Sequence, residues 1–185
     1  VLICFVIGVP LGVLASYNKW YRDVQNVVLD AMQTLPYFCY LIPVLMFFGG
    51  NIVSAVIATV IYSVPPIIRL TALGLSQVSG GYSEVSKSFG GTGIQTLNKV
   101  KFPLAVPSLV MGFNQTVIMA FAMQIVTPLI GGKGLGLQVF NALQRSDTGR
   151  GLSAGLAIVL LAIIIDRITH AWTKKQRQAL GLDQS

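Results

Sequence analysis

Apolar residues fall in four charge-free stretches, residues 1–18, 31–68, 103–132 and 151–165, with short polar and basic segments between them. A helix that crosses a membrane needs ~20 apolar residues at about 1.5 Å each. The stretch 31–68 holds 38 residues, too many for one crossing, and contains the turn signal Gly49-Gly50-Asn51. The pattern predicts five spans, at residues 1–16, 31–48, 52–75, 104–127 and 151–170. The chain therefore reads as an all-α polytopic membrane protein. A transmembrane domain covers 1–172, and a polar tail over 173–185 frays from the last helix. The chain opens at Val1, already inside an apolar run, with neither a basic start nor a small-residue cleavage site, so it reads as a fragment with sequence upstream. Prolines punctuate the runs. Pro65-Pro66 ends or bends a helix, Pro103 and Pro107 suit a first helical turn, and Pro128 ends the fourth span.

Composition supports this reading. Of 185 residues, 54% are hydrophobic and 10% charged, against roughly 25% charged in a soluble domain. A net charge of +7 raises the question of nucleic acid. The basic residues sit in short clusters beside apolar runs and build no basic face with aromatic platforms, which excludes that class. With the segment around Glu84 inside, ten of the 13 Lys and Arg lie inside and only Lys133, Arg145 and Arg150 outside. The positive-inside rule supports that orientation, with the C-terminus also inside.

Candidate chemistry is sparse. Cys4 and Cys39 both fall in spans and read as small apolar residues, with no disulfide framework. His170 is the single histidine and offers neither a metal site nor a catalytic pair. Gly131-Gly132-Lys133-Gly134-Leu135-Gly136 looks like a phosphate loop, but no Ser or Thr follows the Lys and no strand precedes it. It reads as an outer loop or re-entrant turn. No cofactor or metal is expected.

One polar segment has a specific pattern. Glu84-Val85-Ser86 is followed after three residues by Gly90, and after nine more by Val100-Lys101-Phe102-Pro103. This spacing resembles the EAA signature of permease subunits of bacterial ABC importers. Val85 and Ser86 stand where that family usually has two alanines, and Val100 and Phe102 where it has Ile and Leu. The resemblance implies a five-span type I importer permease core in the bacterial inner membrane. It also implies a cytoplasmic coupling segment over residues 80–101: a short helix, a Gly turn at Gly90 and a second short helix. Glu84, Val85, Ser86, Gly90, Val100, Phe102 and Pro103 would then meet an ATP-binding subunit. Glu84 would either pair with an Arg of that subunit or cap the start of its own helix. Further segments are similar to the glycine betaine/proline branch: Ala31-Met32-Gln33-Thr34-Leu35-Pro36, Val64-Pro65-Pro66, Asn114-Gln115-Thr116 and Gly134-Leu135-Gly136-Leu137. The family implies ATP bound and hydrolysed on the partner subunit, a second permease copy, a substrate-binding protein and surrounding lipid.

Polar residues within apolar runs are candidates for a pathway, because such groups cost free energy in hydrocarbon unless paired or facing a cavity. Asn114, Ile118 and Phe121 share a face by i, i+4, i+7 spacing, with Gln115 beside them. Two readings stay open: a translocation pathway, or interhelical hydrogen bonds worth about 0.6–2 kcal/mol each. Gln33 and Thr34 sit at a predicted helix start and read as capping or helix contacts. Tyr37, Phe38, Tyr40, Phe47 and Phe48 read as interface or packing aromatics rather than a cation–π site. The function implied is osmoprotectant import. A permease for another small solute and an ion-coupled secondary transporter are the alternatives. The second is disfavoured because no Asp, Glu, Lys or Arg lies deep in a span.

Overall fold

The computed structural model describes the backbone of residues 1–179 and is helical throughout, with no strand among the described residues. The helices in order are α1 (Leu2–Tyr17), α2 (Lys19–Thr34), α3 (Phe38–Phe48), α4 (Ile52–Ser63), α5 (Pro65–Gln77), α6 (Gly80–Ser88), α7 (Gly93–Thr96), α8 (Phe102–Gln124), α9 (Leu135–Gln144) and α10 (Thr148–Ala179).

Three helical stretches are long and apolar enough to cross a membrane: Ile52–Gln77, Gly93–Gln124 and Thr148–Ala171. The pair α2 and α3 makes a fourth only if counted together, and α1 is a shorter apolar helix. Where five spans were expected, three helices meet this test of length and apolarity, or four with the bent pair counted as one. The expected span over 1–16 is the shorter helix α1, and the expected span over 31–48 differs more. It is split, with a 95° bend between α2 and α3. Pro36 explains the break, since the residue before a proline is driven out of the helical region. Leu35 is extended at φ −70°, ψ 131°, and its N–H closes α2 on the Ala31 carbonyl. Gln33 and Thr34 therefore end a helix rather than start one, and Thr34 Oγ1 donates back to the Ala31 carbonyl. The Tyr40 hydroxyl donates to the Met32 carbonyl and ties α3 to the end of α2.

Elsewhere the prolines are absorbed. Pro65 and Pro66 occupy the first turn of α5, where a missing N–H costs little, and Ile52–Gln77 continues past them. Pro103 opens α8 directly after a π turn over Leu97–Lys101, in which Phe102 N–H reaches the Leu97 carbonyl. A π turn is one residue wider than an α turn and lets the helix from Gly93 run through the donorless position. The fourth span thus extends well before residue 104, and Pro107 lies in the helix interior rather than its first turn. Pro128 falls in a single 3₁₀ turn (Thr127–Ile130) beyond α8, after the helix has already ended at Gln124. α10 continues to Ala179, past the expected domain end at 172, and the rest of the predicted tail lies outside the described residues.

α5 is the central helix, packed between α1 and α8. The contact with α1 runs through Gly8 and Gly12. A Cβ on Gly12 would sit 2.6 Å from Thr71 Cβ and 2.7 Å from the Ile68 carbonyl oxygen. Small residues allow this approach, and dispersion and close packing hold membrane helices together. Cys4, Leu29, Val64, Ile67 and Ile68 fill one core cluster; Leu75, Ala105 and Leu109 fill another nearer α6. The Cys4 thiol lies 3.5 Å from Ser63 Oγ, whereas Cys39 is exposed. α10 buries little of its apolar surface within the chain. Its exposed Leu152, Leu156, Leu160 and Ile164 suit lipid or another helix.

The coupling segment as candidate functional site

Ser79 caps α6 by accepting from Gly81 N–H. α6 closes at Ser88, and the chain turns through Gly90 at φ +76°, a left-handed conformation that side chains resist. Gly91 N–H then donates to the Ser86 carbonyl at 2.9 Å. Thr92 and Gln95 form a reciprocal capping box at the start of α7. The Ser86 and Thr96 hydroxyls meet at 2.8 Å and clamp α6 to α7, with Thr96 buried. The expected helix–turn–helix is present, but its second arm is one continuous helix with α8. Its tip is thus joined to a membrane helix by unbroken helical backbone through the π turn.

The residues singled out from the sequence take three places in this hairpin. Glu84 and Val85 are exposed on α6. Ser86 and Gly90 shape the turn, and Val100, Phe102 and Pro103 are half-buried where the hairpin joins α8. Phe102 packs against the Leu75, Ala105 and Leu109 cluster. Glu84 does not cap its helix. It is the fifth residue of α6, whose first turn holds no acidic side chain and whose cap is Ser79. Its carboxylate makes no ion pair with any described residue.

Sequence reasoning singled out Val85 but missed the other apolar residues around it. Tyr82, Val85, Phe89 and Ile94 are exposed, Phe89 to 88%, and Phe89 is the most exposed large apolar side chain of the segment. With Ser86, Gln95 and Lys99, three of them line a groove of about 490 Å³. Aromatic residues in a polar segment between spans were the available signal. Exposed apolar residues gathered on a polar rim mark an interaction surface.

The candidate pathway residues do not share one environment. Asn114 is buried, and neither its Oδ1 nor its Nδ2 has a partner. Gln115 and Ile118 are exposed on the outside of α8. Phe121 lines a cleft of about 370 Å³ with Thr59, Gln124, Thr127 and Lys133. The helical face expected from spacing exists, but neighbouring helices cover Asn114 and leave Ile118 bare. The segment expected as an outer loop holds a turn and then α9, which packs on α10. No cage of aromatics forms among the described residues: Tyr37 stacks on Phe38 at 4.6 Å, and Tyr40 meets Tyr62 at 5.9 Å. His170 faces Asp166 at 3.4 Å, and no cluster of potential metal ligands occurs among the described residues.

Comparison with known proteins agrees with this geometry. The chain is 45% identical over 176 residues to the glycine betaine/carnitine transport permease protein GbuB of Listeria monocytogenes serotype 1/2a (strain 10403S), covering 95% of this chain and 62% of that protein. It is 43% identical over 176 residues to the glycine betaine/proline betaine transport system permease protein ProW of Escherichia coli (strain K12), covering 95% of this chain and 50% of that one. The chain thus spans about half to three-fifths of the length of these relatives. Among solved structures, the MetNI methionine ABC transporter in inward-facing conformations is superposed with a TM-score of 0.78 at 24% identity. That match covers 92% of this chain and 88% of that chain, and it establishes a common fold. A further match, to a family model, extends over residues 8–178: the chain belongs to the family of binding-protein-dependent transport system inner membrane components.

Proposed function

We propose that this chain forms the membrane pathway of an ATP-driven importer for glycine betaine, proline or a related osmoprotectant in the bacterial inner membrane. The observation that carries the reading is the α6–α7 hairpin. It presents Glu84 and a bare apolar surface while remaining rigidly continuous with α8. A separate ATP-binding subunit is the partner whose groove this surface fits, and this chain binds no nucleotide itself. The names of the relatives support the substrate class.

In this mechanism ATP-driven closure of the partner subunits moves the hairpin. The rigid junction of α7 and α8 passes the motion to the spans and alternates access to the pathway. Phe121, Gln124 and Thr127 line the outer cleft, and Asn114 becomes a polar contact when α8 shifts. A second permease copy covers apolar faces left bare here, and a substrate-binding protein delivers the solute. Glu84, Val85, Ser86, Gly90, Val100, Phe102 and Pro103 carry the coupling, the first two by contact and the others by shape.

The test is copurification followed by reconstitution. An ATPase subunit should be retained on the tagged permease, and vesicles holding the complex and a binding protein should take up labelled glycine betaine only with ATP. Uptake that proceeds without any ATPase subunit would overturn the reading.

A further inference from the structure

A second polar cleft lies between α2 and α5, away from both the hairpin groove and the Phe121 cleft. It measures about 420 Å³ and is lined by Arg22, Asn26, Asp30, Arg69, Leu73 and Ser76. Arg22, Asn26 and Asp30 follow i, i+4, i+8 spacing, so α2 presents them along one face. Asp30 is the only acidic group lining the cleft, and it accepts from Arg69 Nη2 at 2.5 Å. The pairing leaves Arg69 Nε buried without a partner. Neither Arg22 nor Asn26 makes a side-chain hydrogen bond to a described residue. Two guanidinium groups against one carboxylate leave the cleft with net positive charge and unused donors. Guanidinium forks match phosphate oxygens in geometry as well as charge.

The rest of α2 says where this cleft sits. Trp20, Val24, Val27 and Val28 are 46–74% exposed and form an apolar stripe on a different face from Arg22, Asn26 and Asp30. A helix with one bare apolar face, a charged face and a Trp at its start suits the plane of a membrane interface. The 95° bend into α3 turns it out of line with the next helix. The cleft is also at the end of the bundle that carries the coupling segment. Arg69, Leu73 and Ser76 lie along α5 towards α6, and Lys101 stands 5.7 Å over the Tyr17 ring just before α2. Leu73 and buried Ala72 give the cleft an apolar wall beside its charged one.

We propose that this cleft holds the phosphate of an anionic phospholipid of the leaflet next to the coupling segment. Arg22 and Asn26 donate to the phosphate, Arg69 supplies its free donors, and the acyl chains run along Leu73. Asp30 sets the strength of the site, because its carboxylate competes with the phosphate for Arg69. Basic pockets between membrane helices on that side are suited to such headgroups.

The test uses the intact importer in discs of mixed phosphatidylcholine and phosphatidylglycerol, with the phosphatidylglycerol retained per permease counted by native mass spectrometry. Arg22→Gln should weaken retention about fivefold, the worth of one basic residue near an anionic surface. Asp30→Asn should strengthen it, whereas a cleft that only fastens α2 to α5 would lose lipid or stability in that variant. Arg145→Gln, at the opposite end, should leave retention unchanged. Equal retention in Arg22→Gln and the parent protein, or weaker retention in Asp30→Asn, overturns the proposal. So does a site that inorganic phosphate fills as readily as the lipid, which would make it a pocket for small soluble anions. The readout requires neither uptake nor ATP, so it succeeds or fails independently of the transported substrate.

Discussion

Glu84 stands on an exposed helix turn with no intramolecular ion pair among the described residues, and Ser79 already fills the capping role. Its carboxylate is therefore free for a partner. Glu84→Arg should weaken association with the ATP-binding subunit by about 2–5 kcal/mol if the contact is desolvated in the complex. A compensating Arg→Glu on the ATPase should restore it, as measured by copurification and uptake. If Glu84→Gln assembles and transports normally, the apolar groups at Val85 and Phe89 carry the contact instead. Gly90 makes a different demand. Its φ of +76° costs a branched residue about 1–3 kcal/mol of local strain, although nothing lies within 4 Å of its would-be Cβ. Gly90→Val should distort the turn without blocking insertion. The expected result is normal membrane levels, with ATP hydrolysis continuing and uptake lost. Coupled uptake by that variant would remove the turn from the mechanism.

At the scale of elements, the α1–α5 contact and the hairpin are the two assemblies open to measurement. A Cβ at Gly12 would lie inside contact distance of Thr71 and of the Ile68 carbonyl, so α1 must move away from α5. Gly12→Val should lower the unfolding midpoint in detergent, corresponding to about 1–3 kcal/mol of overpacking. The charge bias predicts that the hairpin lies inside, and cysteine labelling can check it. In a background lacking Cys4 and Cys39, Ser83→Cys and Gln95→Cys should react with an impermeant reagent only in inverted membranes. Thr96 is unsuitable for this purpose, because it is buried against Ser86. Labelling of Ser83→Cys in intact cells would invert the topology.

For the whole molecule, the question is which energy source moves the bundle. Neither α4 nor α8 carries an acidic or basic side chain, and Arg69, within the stretch Ile52–Gln77, is paired with Asp30. Reconstituted uptake should survive collapse of proton and sodium gradients and stop when ATP is withheld. The opposite pattern would favour an ion-coupled carrier.

Much of this protein follows from sequence. Long charge-free runs had to become apolar helices, because backbone groups in hydrocarbon must bond within their own segment. The spacing from Glu84 to Pro103 marked the hairpin, and Gly90 marked its turn. The family was legible because the Glu84–Pro103 spacing resembles its signature, and the family match agrees. Tertiary structure decided what depends on neighbours. Spacing put Asn114 and Ile118 on one helical face, but only the packing of other helices buried the first and exposed the second. The split at Pro36 was readable in principle, yet apolarity on both sides hid it, because a hydropathy run does not record direction. α2 and α9 were read as connections because their polar faces interrupt apolar runs. The Arg22–Asp30–Arg69 cleft joins residues 39 positions apart and has no linear signal at all. Local physics fixes where a helix can form, and only the folded chain determines which of its faces meets protein, lipid or a partner.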